Sequence, residues 1–160
     1  MTDKVIIYMQ SNGRTAVCVP ALDDRRLLTF PGREPMLEPE DAWFSRVIKR
    51  SVPADATDIK IVPRSSIPSD RTFRDAWTHN GGQIDVDMPR ARDIHRHRIR
   101  RARKALFREL DTAYQKADEA DDSKAKAEIA KRKKQLRDAP DHPDIESARS
   151  PEQLNAVWPI

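Results

Sequence analysis

Between Lys4 and Met9 the apolar residues Val5-Ile6-Ile7-Tyr8 follow one another without a break, and Thr15-Ala16-Val17-Cys18-Val19 resumes after Ser11-Asn12-Gly13-Arg14. β-Branched and aromatic residues favour extended backbone, and an Asn-Gly turn tolerates positive φ, so this pattern predicts a β-hairpin. After a proline-punctuated stretch from Pro31 to Pro39, Glu40–Arg50 begins acidic and ends basic, as a helix dipole prefers, with Trp43, Phe44 and Val47 as its buried stripe. Ile59–Val62 reads as a short strand stopped by Pro63. Ser69 is placed to cap a helix over Asp70–Trp77, which Gly81-Gly82 would end. Gln83–Asp87 then alternates like a further strand.

Beyond Pro89 the period changes. No glycine or proline occurs from Arg90 to Ala139, and Ala91, His95, Ile99, Ala102, Leu106, Leu110, Ala113 and Ala117 fall on one side of a wheel advancing about 100° per residue. An amphipathic helix results. The acidic cluster Asp118–Ser123 interrupts the stripe, which resumes more thinly through Ala125, Ile129 and Leu136, so two helices should fold back as an antiparallel hairpin about residue 120. Ser150-Pro151-Glu152-Gln153 combines an N-cap serine, a proline at the first helical position and a capping-box glutamine, which predicts a short terminal helix carrying Leu154 and Trp158. The fold class is therefore α+β: a small α+β unit over residues 1–89 and a helical hairpin with a C-terminal capping helix over 90–160.

Charge sharpens this division. Residues 1–89 carry 12 basic and 13 acidic side chains, against 18 and 13 in residues 90–160, so the overall charge of +4 gathers in the helical half. All four glycines and eight of twelve prolines lie at or before Pro89, which fits turns and short elements in the first half. An apolar share of 38% and a charged share of 35% leave a modest core and much surface. The single Cys18 excludes an internal disulfide and a cysteine-cluster metal site, and reads as a buried small hydrophobe. No apolar run reaches the roughly 18 residues of a membrane span, so a soluble protein used in a cytoplasm, without membrane contact, is expected.

Few side chains suggest chemistry. His95 sits in the apolar stripe and His97 on another face, so one helix cannot present both to one metal, and seven arginines nearby would repel a cation. His79 and His142 fall in predicted loops without a partner at ligand spacing, and no zinc pattern results. The carboxylate pairs Asp23/Asp24, Asp85/Asp87 and Asp121/Asp122 lack a phosphate-cradling glycine loop and read as solvated. Ser51, Ser65 and Ser66 have no His-Asp context. No catalytic residue, metal or cofactor is assigned, and the chain is not expected to be an enzyme.

The strongest signal is electrostatic. Arg90, Arg92, Arg96, Arg98, Arg100, Arg101, Arg103 and Lys104 lie within fifteen residues, opposed by Asp93 alone. Like charges one turn apart repel, so this run calls for an anionic partner. An antiparallel hairpin would return Lys131–Lys134 near Lys104 and Arg108 and extend the basic band. Nucleic acid is one candidate partner, bound by the Arg90–Lys104 face, although no aromatic precedes Phe107 to stack on bases. An acidic protein surface is the other.

The order of features from residue 98 onward resembles the tail region of bacteriophage tail assembly chaperone proteins. Arg98-Ile99-Arg100-Arg101-Ala102-Arg103-Lys104-Ala105-Leu106-Phe107-Arg108-Glu109-Leu110-Asp111 is similar to that family's basic segment. Gln135-Leu136-Arg137-Asp138-Ala139-Pro140 is similar to its second-helix ending, and Val157-Trp158-Pro159 to its close. Two departures stand out: Thr112 occupies a position where many members place tryptophan, the aromatic following at Tyr114, and the interhelical loop is longer and more acidic. The resemblance implies a protein that helps phage tails or tail fibres fold, trimerise or attach by protein binding. It would work in the host cytoplasm during assembly, with retention in the virion tail as a further expectation. Candidate partner-binding residues are Arg96, Arg100, Arg101, Arg103, Lys104 and Arg108 on the first helix. Lys133 and Lys134 on the second join them, with Tyr114 and Trp158 as aromatic anchors.

Overall fold

A computed structural model describes residues 3–160 and divides the chain into two compact units, one ending at Val86 and the other running Asp87–Ile160. The break falls three residues before Pro89, because Asp87 already belongs to the helical unit as its first cap. The class is α+β, small antiparallel sheets first and helices after.

The first unit contains β1 (Lys4–Met9), β2 (Thr15–Cys18), β3 (Leu27–Leu28), β4 (Met36–Leu37), α1 (Glu40–Ser51), β5 (Thr57–Pro63), β6 (Trp77–Asn80) and β7 (Gln83–Val86). β1 is the centre of an antiparallel sheet ordered β2-β1-β5. Its unbroken apolar run is explained by burial on both sides. Val5 and Ile7 pack with Val62, Trp77 and Ile84 beneath the β6–β7 hairpin, whereas Ile6 and Tyr8 pack with Trp43, Phe44 and Val47 of α1. Burying each such aliphatic side chain contributes about 1.5–3 kcal/mol. Cys18 is only half buried, at the edge of the α1 layer, rather than in the core.

Residues 69–82 depart from the expected helix. Ser69 caps nothing; the Asp70 carboxylate instead accepts the Thr72 N–H at 2.8 Å, a turn that competes with helix nucleation, and only a 3₁₀ turn forms over Arg74–Ala76. Trp77 and His79 are buried on one side of β6 while Asn80 is exposed, an alternation that a strand satisfies and a helix does not. Gly81 and Gly82 do not end a helix but form the two-residue turn of the β6–β7 hairpin, with φ of 63° and 102°. A Cβ on Gly82 would lie 3.2 Å from Val62.

A polar knot joins α1 to the segment before it. The buried Glu38 carboxylate accepts from Arg46 Nε at 3.0 Å and Nη2 at 2.6 Å, and from the Arg26 N–H at 3.3 Å. Arg46 also reaches the Asp24 carboxylate at 3.2 Å, which Arg50 meets at 3.0 Å. Donation from Arg46 holds the Glu38 carboxyl below the usual carboxylate range, and donation from Arg50 does the same for Asp24.

The second unit contains α2 (Met88–Glu119), α3 (Ser123–Asp138), α4 (Pro143–Ser147) and α5 (Pro151–Ala156). Each start has its cap: Asp87 accepts the Arg90 N–H at 3.2 Å, Asp122 that of Ala125 at 2.9 Å, and Ser150 that of Gln153 at 3.2 Å. The α2–α3 reversal is a Schellman ending. Asp122 N–H donates to the Ala117 carbonyl at 2.9 Å and Asp121 N–H to that of Asp118 at 3.0 Å, with Asp121 at φ 53° where glycine is usual. Of the predicted stripe, Ala91, His95, Ile99 and Ala117 are fully buried and the residues between only partly. The sixteen-residue α3 is half the length of α2, so α4, α5 and the tail complete the cover with Ile145 and Leu154, both at 0% exposure. The five-residue α4, started by Pro143, was not expected from the sequence. No helix among the described residues is long and apolar enough to cross a membrane.

Candidate partner-binding face of the helical hairpin

Helical geometry sorts the arginine run into two sets. Residues advancing 100° each place Arg100, Lys104 and Arg108 one turn apart, with Arg101 beside them, opposite the stripe that holds Ile99 and Ala91. All four are exposed, and no hydrogen bond or ion pair engages their side chains among the described residues. The row from Arg100 to Arg108 extends about 12 Å at 1.5 Å per residue. Its cations face water.

The other set is engaged within the unit. Arg103 Nη1 donates to the Leu136 and Arg137 carbonyl oxygens at 2.7 and 2.8 Å, placing a cation on the negative end of α3. Arg92 donates to the carbonyl oxygens of Ile145 at 3.1 Å and Ala148 at 2.9 Å, at the end of α4. Arg96 is paired with Asp93 at 3.1 Å and with Glu146. Arg98 lies over the Trp158 ring, 5.9 Å from its centroid, and reaches the Asn155 side-chain oxygen at 3.3 Å. The crowding of like charge is thus relieved within the unit, by carbonyl dipoles, two carboxylates and a ring.

Tyr114 and Lys133 serve the hairpin as well. Lys133 Nζ sits 2.7 Å from the Asp111 carboxylate and 4.8 Å from the Tyr114 ring centroid, so it lies against Asp111 and Tyr114 rather than beside Lys104. Lys134 is exposed on α3. Trp158 keeps 44% exposure although one edge meets His95, with centroids 5.8 Å apart. His95 is buried, and its Nε2 must carry the proton that meets the Val157 carbonyl oxygen at 2.6 Å. Burial pushes the His95 pKa down, with a smaller push from Arg98, against the opposing effect of the Val157 bond.

Three residues that seemed solvated or unpartnered also have structural roles. Asp87 and Asp122 cap helices, and Asp24 belongs to the knot with Arg46. His79, which the sequence left in a loop without a partner, is buried on β6. Its Nε2 faces the Asp58 carbonyl and carboxylate oxygens at 2.9 and 3.1 Å, and its Nδ1 meets the Thr15 hydroxyl at 2.9 Å. This chain ties β2, β6 and β5 together across 64 residues of sequence. No local pattern signals it, because the three members are brought together only by the sheet. Compared with known proteins, the chain matches no family model, no curated protein and no solved structure.

Proposed function

We propose that this chain is a phage tail or tail-fibre assembly protein that binds an acidic protein surface through the outward face of α2. The observation that carries the reading is the row Arg100, Lys104 and Arg108, exposed along one side of α2 and met by no side-chain hydrogen bond or ion pair among the described residues, on a helix whose Arg92, Arg96 and Arg103 are engaged within the unit. A 32-residue helix offers a rigid arm, and cations along one side steer encounter with an anionic partner. The order of motifs from residue 98 onward supplies the phage context, with action in the host cytoplasm and retention in the virion tail as its extensions.

The test is capture of separately expressed phage tail and tail-fibre proteins by this chain and by an R100E/K104E/R108E variant. Salt-sensitive capture that the triple reversal abolishes, with helicity unchanged because all three side chains are exposed, is expected. A random DNA duplex bound with steep salt dependence, and no captured tail protein, would replace this reading with nucleic-acid binding.

A further inference from the structure

The first unit has an open edge. β2 pairs with β1 on one side only, and among the described residues no backbone hydrogen bond joins Thr15–Val19 to any other segment. Alongside it runs a cleft of about 300 Å³, continued by a second of about 200 Å³ that shares Val17, Val19, Ile67 and Arg71. Consecutive residues Thr15, Ala16 and Val17 all line the first cleft. Successive side chains in a strand point to opposite faces, so a wall made of all three is the strand's edge, with its backbone groups presented to the cleft.

Four arginines line this trench: Arg14 and Arg74 at the first cleft, Arg64 at the second, and Arg71 at both. All are exposed, and none makes a side-chain hydrogen bond or ion pair among the described residues. Asp75 is the one acid in either wall. Charge on a sheet edge discourages pairing between copies of the chain. That purpose requires no trench and no apolar floor, yet Val17 and Ile67 provide one and Val19 stands 52% exposed at the rim. The Thr15 hydroxyl, held by His79, fixes the start of β2.

We infer that the β2 edge takes up an extended acidic segment of a partner protein as an added strand. Its backbone would continue the β2-β1-β5 sheet, alternate apolar side chains would seat on Val17 and Ile67, and acidic side chains would meet the arginines. Nucleic acid is the poorer match. Trp77, the one aromatic in the cleft wall, is 5% exposed and gives bases no face to stack on, and a nucleotide backbone cannot pair with a strand edge.

A fluorescein-labelled alternating Asp-Val heptapeptide titrated against the full chain, read by anisotropy, tests this. Saturable binding is expected, weakened at least tenfold for the R71E/R74E variant and for Val19→Asp. The same peptide N-methylated at alternate residues, or with lysine for aspartate, should lose binding to a similar degree. R71A/R74A, which neutralises without reversing charge, should weaken binding several-fold with an unaltered thermal melt. Absence of saturable binding by the acidic peptide would overturn the inference. So would equal binding of the N-methylated peptide, or displacement of the acidic peptide by a ten-nucleotide thymidine strand that binds more tightly.

Discussion

Arg103 on α2 reaches the Leu136 carbonyl oxygen on α3 at 2.7 Å, so one guanidinium supplies both a donor and a charge to the unsatisfied end of the second helix. The bond closes the open end of the hairpin. Four carbonyl groups at a helix C-terminus lack intrahelical partners, and a cation there also opposes the dipole.

Replacing Arg103 with alanine should therefore destabilise the helical unit by about 1–2 kcal/mol, because it removes a charge-assisted bond and a favourable charge–dipole interaction at once. Arg103→Lys should recover part of this by keeping the charge. Thermal unfolding followed by circular dichroism is the measurement, and an unchanged midpoint for the alanine variant would sink the closing role.

Asp121 offers the opposite sign. It holds a left-handed conformation at φ 53° in a Schellman ending. A non-glycine residue there is strained by about 1 kcal/mol, partly offset by the greater freedom of glycine in the unfolded chain. Asp121→Gly should raise the melting midpoint or leave it slightly higher, and a clear fall would show that the carboxylate itself holds the turn.

His95 sets a pH dependence. Its folded pKa lies below the unfolded value, so the unfolded state binds the proton more readily. Stability from this residue is complete above the ordinary imidazole value of about 6.5 and is lost as pH falls through the folded one. The midpoint of the helical unit should drop between pH 7.5 and 5.5. His95→Gln, which keeps a donor for the Val157 carbonyl, should flatten that dependence. Parallel curves for the two proteins would assign it elsewhere.

The sequence was legible where one element decides its own pattern. β1 shows itself as an apolar run, α1 as an acidic-to-basic stretch with Trp43, Phe44 and Val47 inward, and the α2–α3 hairpin as one stripe broken near residue 120. It misled at residues 69–82, where Ser69 and Gly81-Gly82 imitate the start and stop of a helix, while the strand alternation of Trp77 and His79 covers just four residues. The candidate face was half legible. Charged side chains can be counted in a sequence, but the carbonyl groups at helix ends cannot, and Arg92 and Arg103 are matched by those. That is why eight crowded cations seemed to demand an outside anion when, of those eight, Arg100, Arg101 and Lys104 form the outward row that Arg108 continues.

The Glu38–Arg46 knot has its own consequence under acid. Both its carboxylates, Glu38 and Asp24, are held below their ordinary range, so their contribution persists above the unfolded carboxylate values and is lost only as pH falls through the still lower folded ones. The response of His95 begins below the ordinary imidazole value, which lies above the carboxylate range. Acidification thus begins to weaken the seam beneath the C-terminal tail before it reaches the fastening of α1.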